Sequence, residues 1–150
     1  MKRARDVMDP NPLTVSPAMS VSELARLLHE RRLDGVCVVQ GDQLVGVVTT
    51  MDLIFKEKRL HLPTVFFFLD AVIPLENPLK SVRELEKIAG DHVEGIMTRE
   101  PYSVGPDAPL EEVASLMVDN HLTIVPVVEE GRVLGTVTKP AMLRAAFGLA

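Results

Sequence analysis

The sequence predicts an α+β fold of the α/β type, in which two β-α-β-β-α repeats pack through their sheets with pseudo-two-fold symmetry and a helical insert separates them. Residues 7–54 recur at 96–143 with a constant offset of 89 and no gap, and fourteen of the forty-eight aligned positions are identical. Most other apolar pairs exchange one aliphatic residue for another. Each copy therefore keeps the same buried face, and we expect the two small copies to stabilise each other.

The first copy starts with an extended piece and a helix. Flanking prolines keep residues 13–15 out of the helical conformation. Ser20 and Glu23 form a capping box that begins a helix over residues 21–32. Its apolar residues share one stripe of the 3.6-residue period, namely Val21, Leu24, Ala25 and Leu28. This stripe predicts that the helix packs on a core.

A β-hairpin and a second helix complete each copy. The run Val36–Val39 is rich in β-branched residues, and a turn at Gly41-Asp42 leads into a strand over Leu44–Val48. A second helix begins near Met51. The other copy repeats this plan, with a helix from Leu110, strands at Ile124–Val128 and Val133–Val137, and a second helix from about Pro140.

The residues between the copies have no counterpart and are too many for a plain linker. A capping box at Ser81–Glu84 and an apolar stripe predict a short helix over residues 82–89. The Phe-rich run 65–69 either packs on the repeat core or forms a dimer contact. The predicted organisation is a first repeat at 1–60, a helical insert at 61–92 and a second repeat at 93–150.

Composition excludes several function classes. The net charge of −5 argues against a nucleic-acid partner, and the four histidines have no metal-ligand spacing. Cys37 is the sole cysteine, so no intrachain disulfide forms. No membrane-length apolar stretch or secretion signal is present, and we expect a cytoplasmic protein with a solvated basic N-terminal tail containing Lys2, Arg3 and Arg5. No catalytic motif occurs, so an enzyme is not expected.

The candidate functional residues lie where the two hairpins end. The first ends in Gly46-Val47-Val48-Thr49-Thr50-Met51-Asp52, and the second has Ala141 in place of the acid. Thr49 and Asp52 would project together at a helix N-terminus, where the carboxylate can accept hydrogen bonds from a sugar diol and the helix dipole attracts anions. Alternatively, Asp52 only caps its own helix, with Thr49 as the N-cap.

The Met-Thr-like start, the Thr-Val or Ser-Val piece before Pro, the helix, the Pro-Val-Val strand and the Gly-Val-Val-Thr-x-x-Asp close together resemble the cystathionine-β-synthase (CBS) domain. The pair resembles a Bateman module. This resemblance implies a regulatory protein that binds AMP, ADP, ATP or S-adenosylmethionine between the repeats and requires no cofactor. It also implies a homodimer formed through the second helices, around 51–59 and 140–147. The alternative is a ligand-free structural module that acts through protein–protein contacts.

The resemblance also implies two sites. In the first, Asp52 holds the ribose hydroxyls and Thr49 lies near the ribose or first phosphate, while the adenine lies against the opposite copy. The remaining residues implied for it are Val47, Met51, Ser103, Val104, Thr123, Ile124, Val125 and Pro126. The weaker or empty twin would use Thr14, Val15, Asp34, Gly35, Val36 and Thr138. His121 and Arg32 end equivalent helices, where each is either a favourable charge or a phosphate contact.

Overall fold

A computed structural model describes residues 2–55 and 92–149. In the first unit it contains α1 (Ala4–Val7), β1 (Thr14–Val15), α2 (Val21–Arg31), β2 (Gly35–Gln40), β3 (Gln43–Thr49) and α3, described over 50–55. In the second unit it contains a 3-10 turn (Val93–Gly95), β4 (Thr98–Arg99), α4 (Leu110–Asn120), β5 (Ile124–Glu129), β6 (Arg132–Thr138) and α5 (Lys139–Phe147). The predicted α/β repeat order is confirmed. The Phe-rich run 65–69 and the helix over 82–89 lie outside the described residues.

Helices α2 and α4 begin and end at equivalent positions. Ser20 Oγ accepts a hydrogen bond from the amide of Glu23 at 3.1 Å, as the capping box predicts. Arg32 and His121 end the two helices in the left-handed conformation, each with φ of 54°. The first helix therefore ends at Arg31, one residue before the predicted end, because a left-handed cap terminates the helical hydrogen-bond ladder.

The two units share one sheet, with strand order β1-β2-β3-β6-β5 and β4 paired to β3. The units meet where β3 and β6 run antiparallel, with Gln43 opposite its own counterpart, Arg132. Leu44 N–H donates to Gly131 O at 2.9 Å, and the equivalent bond from Val133 to Asp42 is 3.3 Å long. The pseudo-two-fold axis therefore passes through this strand pair.

Each unit has its own aliphatic core. Buried residues of the first core include Val15, Leu24, Leu28, Val36 and Val48, and those of the second include Val104, Val113, Val125 and Val137. Cys37 is fully buried on β2, and burial raises the pKa of its thiol to about 12. The thiol therefore stays protonated at neutral pH and behaves as a small apolar side chain.

Each core is completed by a segment from the other unit. Ala4, on α1, is fully buried in the core of the second unit, and its counterpart Val93 is fully buried in the core of the first. The amide of Ala4 donates to Ala108 O at 2.9 Å, and that of Val93 donates to Met19 O at the same distance. These four residues are two equivalent pairs, so the exchange of segments is reciprocal.

The exchange corrects the prediction of a solvated basic tail in one respect. Lys2, Arg3 and Arg5 are exposed, as expected, but the segment that carries them is docked on the second unit. Arg5 Nη2 lies 2.7 Å from Asp107 Oδ1, and Arg3 donates to the backbone oxygen of Asp107. The ion pair is exposed, with 51% and 70% of the two side chains accessible, so it contributes little stability. The segment docks because the charges flank Ala4, whose small side chain fits the core of the second unit.

The exchanged segments pass over two glycines, and this contact yields a prediction. A Cβ at Gly135 would lie 2.5 Å from the carbonyl oxygen of Asp9, and one at Gly46 would lie 2.7 Å from Met97 Sδ. We expect Gly135→Ala and Gly46→Ala each to lower the free energy of unfolding by about 1–3 kcal/mol through overpacking, as measured by urea denaturation.

The matched control for this prediction is Gly105→Ala, because a Cβ there would meet nothing within 4 Å. Its free energy of unfolding should stay within about 0.5 kcal/mol of the wild-type value. If Gly135→Ala and Gly46→Ala were as stable as Gly105→Ala, the result would contradict tight packing of the exchanged segments against the two glycines.

Candidate functional site

The candidate site is built on the junction between β3 and α3. The amide of Thr49 donates to Asp52 Oδ2 at 2.8 Å, and Thr49 Oγ1 donates to the same oxygen at 3.1 Å. In return, the amide of Asp52 donates to Thr49 Oγ1 at 3.3 Å. Thr49 therefore caps α3, and the caps are reciprocal. This junction holds the carboxylate rigidly at the N-terminus of the helix.

Capping uses only one oxygen of Asp52. Within residues 2–55 and 92–149, no hydrogen bond engages Oδ1. A carboxylate oxygen can accept further hydrogen bonds, and such charge-assisted bonds are stronger than neutral ones. Both readings of Asp52 from the sequence are thus compatible, since capping through Oδ2 leaves Oδ1 as an acceptor for a ligand.

A cavity of about 260 Å³ opens beside this junction and is lined by both units. The first unit supplies Val47, Thr49, Thr50, Met51 and Asp52, and the second supplies Thr98, Pro101, Tyr102, His121, Leu122, Thr123 and Ile124. The volume is close to the lower end of the roughly 300–1,000 Å³ typical of small-molecule sites. Apolar walls with a few polar groups are also typical of such sites.

Both units contribute polar residues to the cavity lining. The first unit contributes Thr49, Thr50 and Asp52, and the second contributes Thr98, Tyr102, His121 and Thr123. Thr123 Oγ1 is buried and has no hydrogen-bond partner among the described residues. A buried hydroxyl without a partner is costly.

Of the ten residues implied for the first site, six line this cavity: Val47, Thr49, Met51, Asp52, Thr123 and Ile124. The other four lie elsewhere. Ser103 is exposed, Val104 and Val125 belong to the core of the second unit, and Pro126 is fully buried in β5. The alternation of side chains along β5 explains part of this difference, because Ile124 reaches the cavity while Val125 points the other way.

Sequence reasoning missed most of the other lining residues. His121, named from the sequence as a helix-end charge or a phosphate contact, does line the cavity. Leu122 directly precedes the predicted Thr123, so extending that run backwards would have found it. Thr98 reaches the cavity because β4 pairs with β3 of the other unit, with Thr98 opposite Val47. No local sequence signal indicates this pairing, which belongs to the exchange of segments.

The pseudo-symmetric cavity has a different lining. It measures about 360 Å³ and includes Gly35, Val36 and Thr138 from the residues implied for the twin site. Thr14 and Val15 line a separate cavity, and Asp34 lines another. Thr138 Oγ1 still accepts from the amide of Ala141 at 3.3 Å. The helix cap is therefore kept at this position without the carboxylate that Asp52 provides in the first cavity.

Metal-binding clusters and membrane-spanning helices are both absent from the part of the chain that the structure describes. Residues 2–55 and 92–149 contain no group of three or more His, Cys, Asp or Glu side chains arranged to hold a metal ion. No helix within these ranges has the length and apolar character needed to cross a bilayer.

A family model described as "CBS domain" matches residues 4–59 and 93–148. The chain belongs to the CBS domain family. Two matches in tandem make it a CBS pair, as the internal repeat predicts. The matched ranges start at Ala4 and Val93, the residues that the two units exchange.

Solved CBS pairs share this fold. CBSX2 in complex with AMP is 27% identical, with a TM-score of 0.77 over 99% of this chain and 98% of that one. The CBS domain pair of MJ0100 from a complex with 5′-methylthioadenosine and S-adenosyl-L-methionine is 23% identical, with a TM-score of 0.70 over the same shares. The latter similarity indicates the fold alone.

Curated relatives include proteins of several kinds. The uncharacterized protein MJ1426 of Methanocaldococcus jannaschii is 28% identical over 94% of this chain and 89% of its own length. Chloroplastic CBSX2 of Arabidopsis thaliana is 30% identical over 95% of this chain. An inosine-5′-monophosphate dehydrogenase of Korarchaeum cryptofilum is 31% identical over 92% of this chain. The CBS pair spans 62% of that CBSX2 and 23% of the dehydrogenase.

Proposed function

We propose that this CBS pair is a non-catalytic regulatory module that binds an adenine nucleotide or another adenosyl compound in the cavity beside Asp52. AMP, ADP, ATP and S-adenosylmethionine are the candidate ligands. A ligand held by both units favours one relative arrangement of them by the difference in its affinity for the available arrangements. The module would transmit this preference to a regulated protein.

The observation that carries this proposal is that Asp52 Oδ1 accepts no hydrogen bond from residues 2–55 or 92–149. Oδ2 is fixed by Thr49 at 2.8 and 3.1 Å, so Oδ1 is held in a constant position at the start of α3. A vicinal diol of a ribose presents two hydroxyl donors to such an acceptor. The complex of CBSX2 with AMP, a relative 27% identical to this chain, supports the same ligand class.

Isothermal titration calorimetry of the purified protein tests the proposal. We expect saturable binding of at least one of AMP, ADP, ATP and S-adenosylmethionine, with one site per chain because Ala141 replaces the acid in the twin cavity. Absence of heat with all four compounds would favour the alternative, a structural module that acts through protein–protein contacts.

We also propose that the protein is a homodimer formed through α3 and α5. Large apolar side chains on both helices are exposed, including Met51 at 68%, Ile54 at 61% and Phe147 at 71%. Apolar groups concentrated on one surface are typical of association sites. Light scattering at micromolar concentration should give twice the mass of 16.5 kDa, and a monomeric mass would contradict the dimer.

A further inference from the structure

Tyr102 forms an aromatic wall of the cavity beside Asp52. It is the only tyrosine of a chain that has no tryptophan. Tyr102 lines the cavity, as do Leu122 and Ile124, and the residue is 54% exposed. Its phenol makes no hydrogen bond within residues 2–55 and 92–149. The equivalent residue of the first unit, Leu13, lines the twin cavity and has no ring. Of these two cavities, only the one that contains Asp52 has an aromatic ring at this position.

The charges of this cavity are also distinctive. Among the described residues that line it, Asp52 is the one acid, no lysine or arginine occurs, and His121 is the one side chain able to become a cation. Arg32 lines a neighbouring cavity that shares only Thr50 with this one. A polyphosphate chain would therefore lie near a carboxylate without an arginine or lysine from residues 2–55 or 92–149 in the cavity lining, which is unfavourable.

We infer that the site selects adenosyl compounds with an uncharged, cationic or singly phosphorylated 5′ group, whose base stacks on Tyr102. This inference rests on the proposed function and names the ligand class of the same site. An adenine ring offers a flat face to an aromatic side chain, and such offset contacts add to the affinity gained from apolar burial. The ring thus recognises the base, and the lack of lysine and arginine among the described lining residues disfavours di- and triphosphates.

Tyrosine emission provides the test, because it reports on Tyr102 alone. Adenosine, 5′-methylthioadenosine, AMP and ATP are titrated by calorimetry and by fluorescence excited beyond the main adenine band. We expect ATP to bind about tenfold more weakly than AMP, and binding to change the emission. Tyr102→Leu, which installs the residue of the twin cavity, should weaken binding roughly three- to tenfold. Tyr102→Phe should keep the affinity and lose the signal.

The outcomes separate this inference from the proposed function. Calorimetric binding with unchanged tyrosine emission, equal affinity for ATP and AMP, or wild-type affinity in Tyr102→Leu would each overturn the inferred selectivity and leave the proposed function standing. An Arg32→Ala variant that selectively loses ATP would also overturn it, because phosphate would then have a cation. Failure of these four compounds, and also of ADP and S-adenosylmethionine, to bind would overturn the proposed function, and the inference with it.

Discussion

Replacement of Asp52 by alanine is expected to weaken adenosyl-ligand binding by about 10- to 150-fold. The estimate assigns about 1.5 kcal/mol to each of one or two charge-assisted hydrogen bonds from the ribose hydroxyls. Asp52→Asn should give an intermediate loss, because the amide oxygen accepts a hydrogen bond without the charge. Calorimetric titration of both variants with the compound that binds the wild-type protein measures the effect.

Asp52→Ala also removes a helix cap, so the loss of the cap needs its own control. Thr138→Ala removes the equivalent cap of α5, where Thr138 Oγ1 accepts from Ala141, and leaves Asp52 in place. This variant is expected to lose about 0.5–2 kcal/mol of stability and to keep its affinity. Asp119→Ala, at an exposed acid on α4, controls for charge. Wild-type affinity in Asp52→Ala would exclude this carboxylate from binding.

Replacement of Ala4 by aspartate is expected to lower the free energy of unfolding by about 2–4 kcal/mol. Ala4 is fully buried in the core of the second unit, and an ionised carboxylate without a partner is strongly disfavoured there. Undocking of α1 limits the cost, since the segment can leave the core and expose the charge. Chemical denaturation monitored by circular dichroism gives the change.

The region of the protein that Ala4→Asp destabilises tests the exchange of segments more directly than the size of the stability loss does. Amide hydrogen exchange in Ala4→Asp should increase around Val113 and Val125, in the second unit, and change least around Leu24, in the first. Ala18→Asp makes the same substitution at an exposed position and should be nearly neutral. Damage confined to the first unit would show that residues 2–9 do not complete the second core.

Local signals make much of the fold predictable. The 3.6-residue stripe and the Ser20 cap predict α2, and a short run rich in β-branched residues followed by a glycine turn predicts the β2–β3 hairpin. These signals depend on residues close together in the chain. The helix α1 has four residues, too few to show a period, and burial of Ala4 depends on a pocket made about a hundred residues later. The exchange therefore has no local signature.

The residues of the candidate site likewise include some that the sequence predicts and others whose positions depend on tertiary contacts. Thr49 and Asp52 are predictable because three residues separate a strand end from the first turn of the next helix, and the hydrogen bonds between them follow from that spacing. Thr123 and Ile124 are implied by the resemblance to the CBS domain. Tyr102 and Thr98 enter the cavity through the exchanged segment, so their positions depend on the tertiary contact between β4 and β3.

The reciprocal burial of Ala4 and Val93 bears on how such a chain could have arisen. A single copy that kept these contacts would have no segment to fill its own core, and its terminal segment would fit the core of another molecule. Two separate chains would therefore have to exchange terminal segments to complete their cores. Gene duplication and fusion would place both copies in one chain, so the exchange of segments would occur within a single molecule. The sequence of neither unit would then be free to change independently, because each unit supplies a segment that must pack in the core of the other.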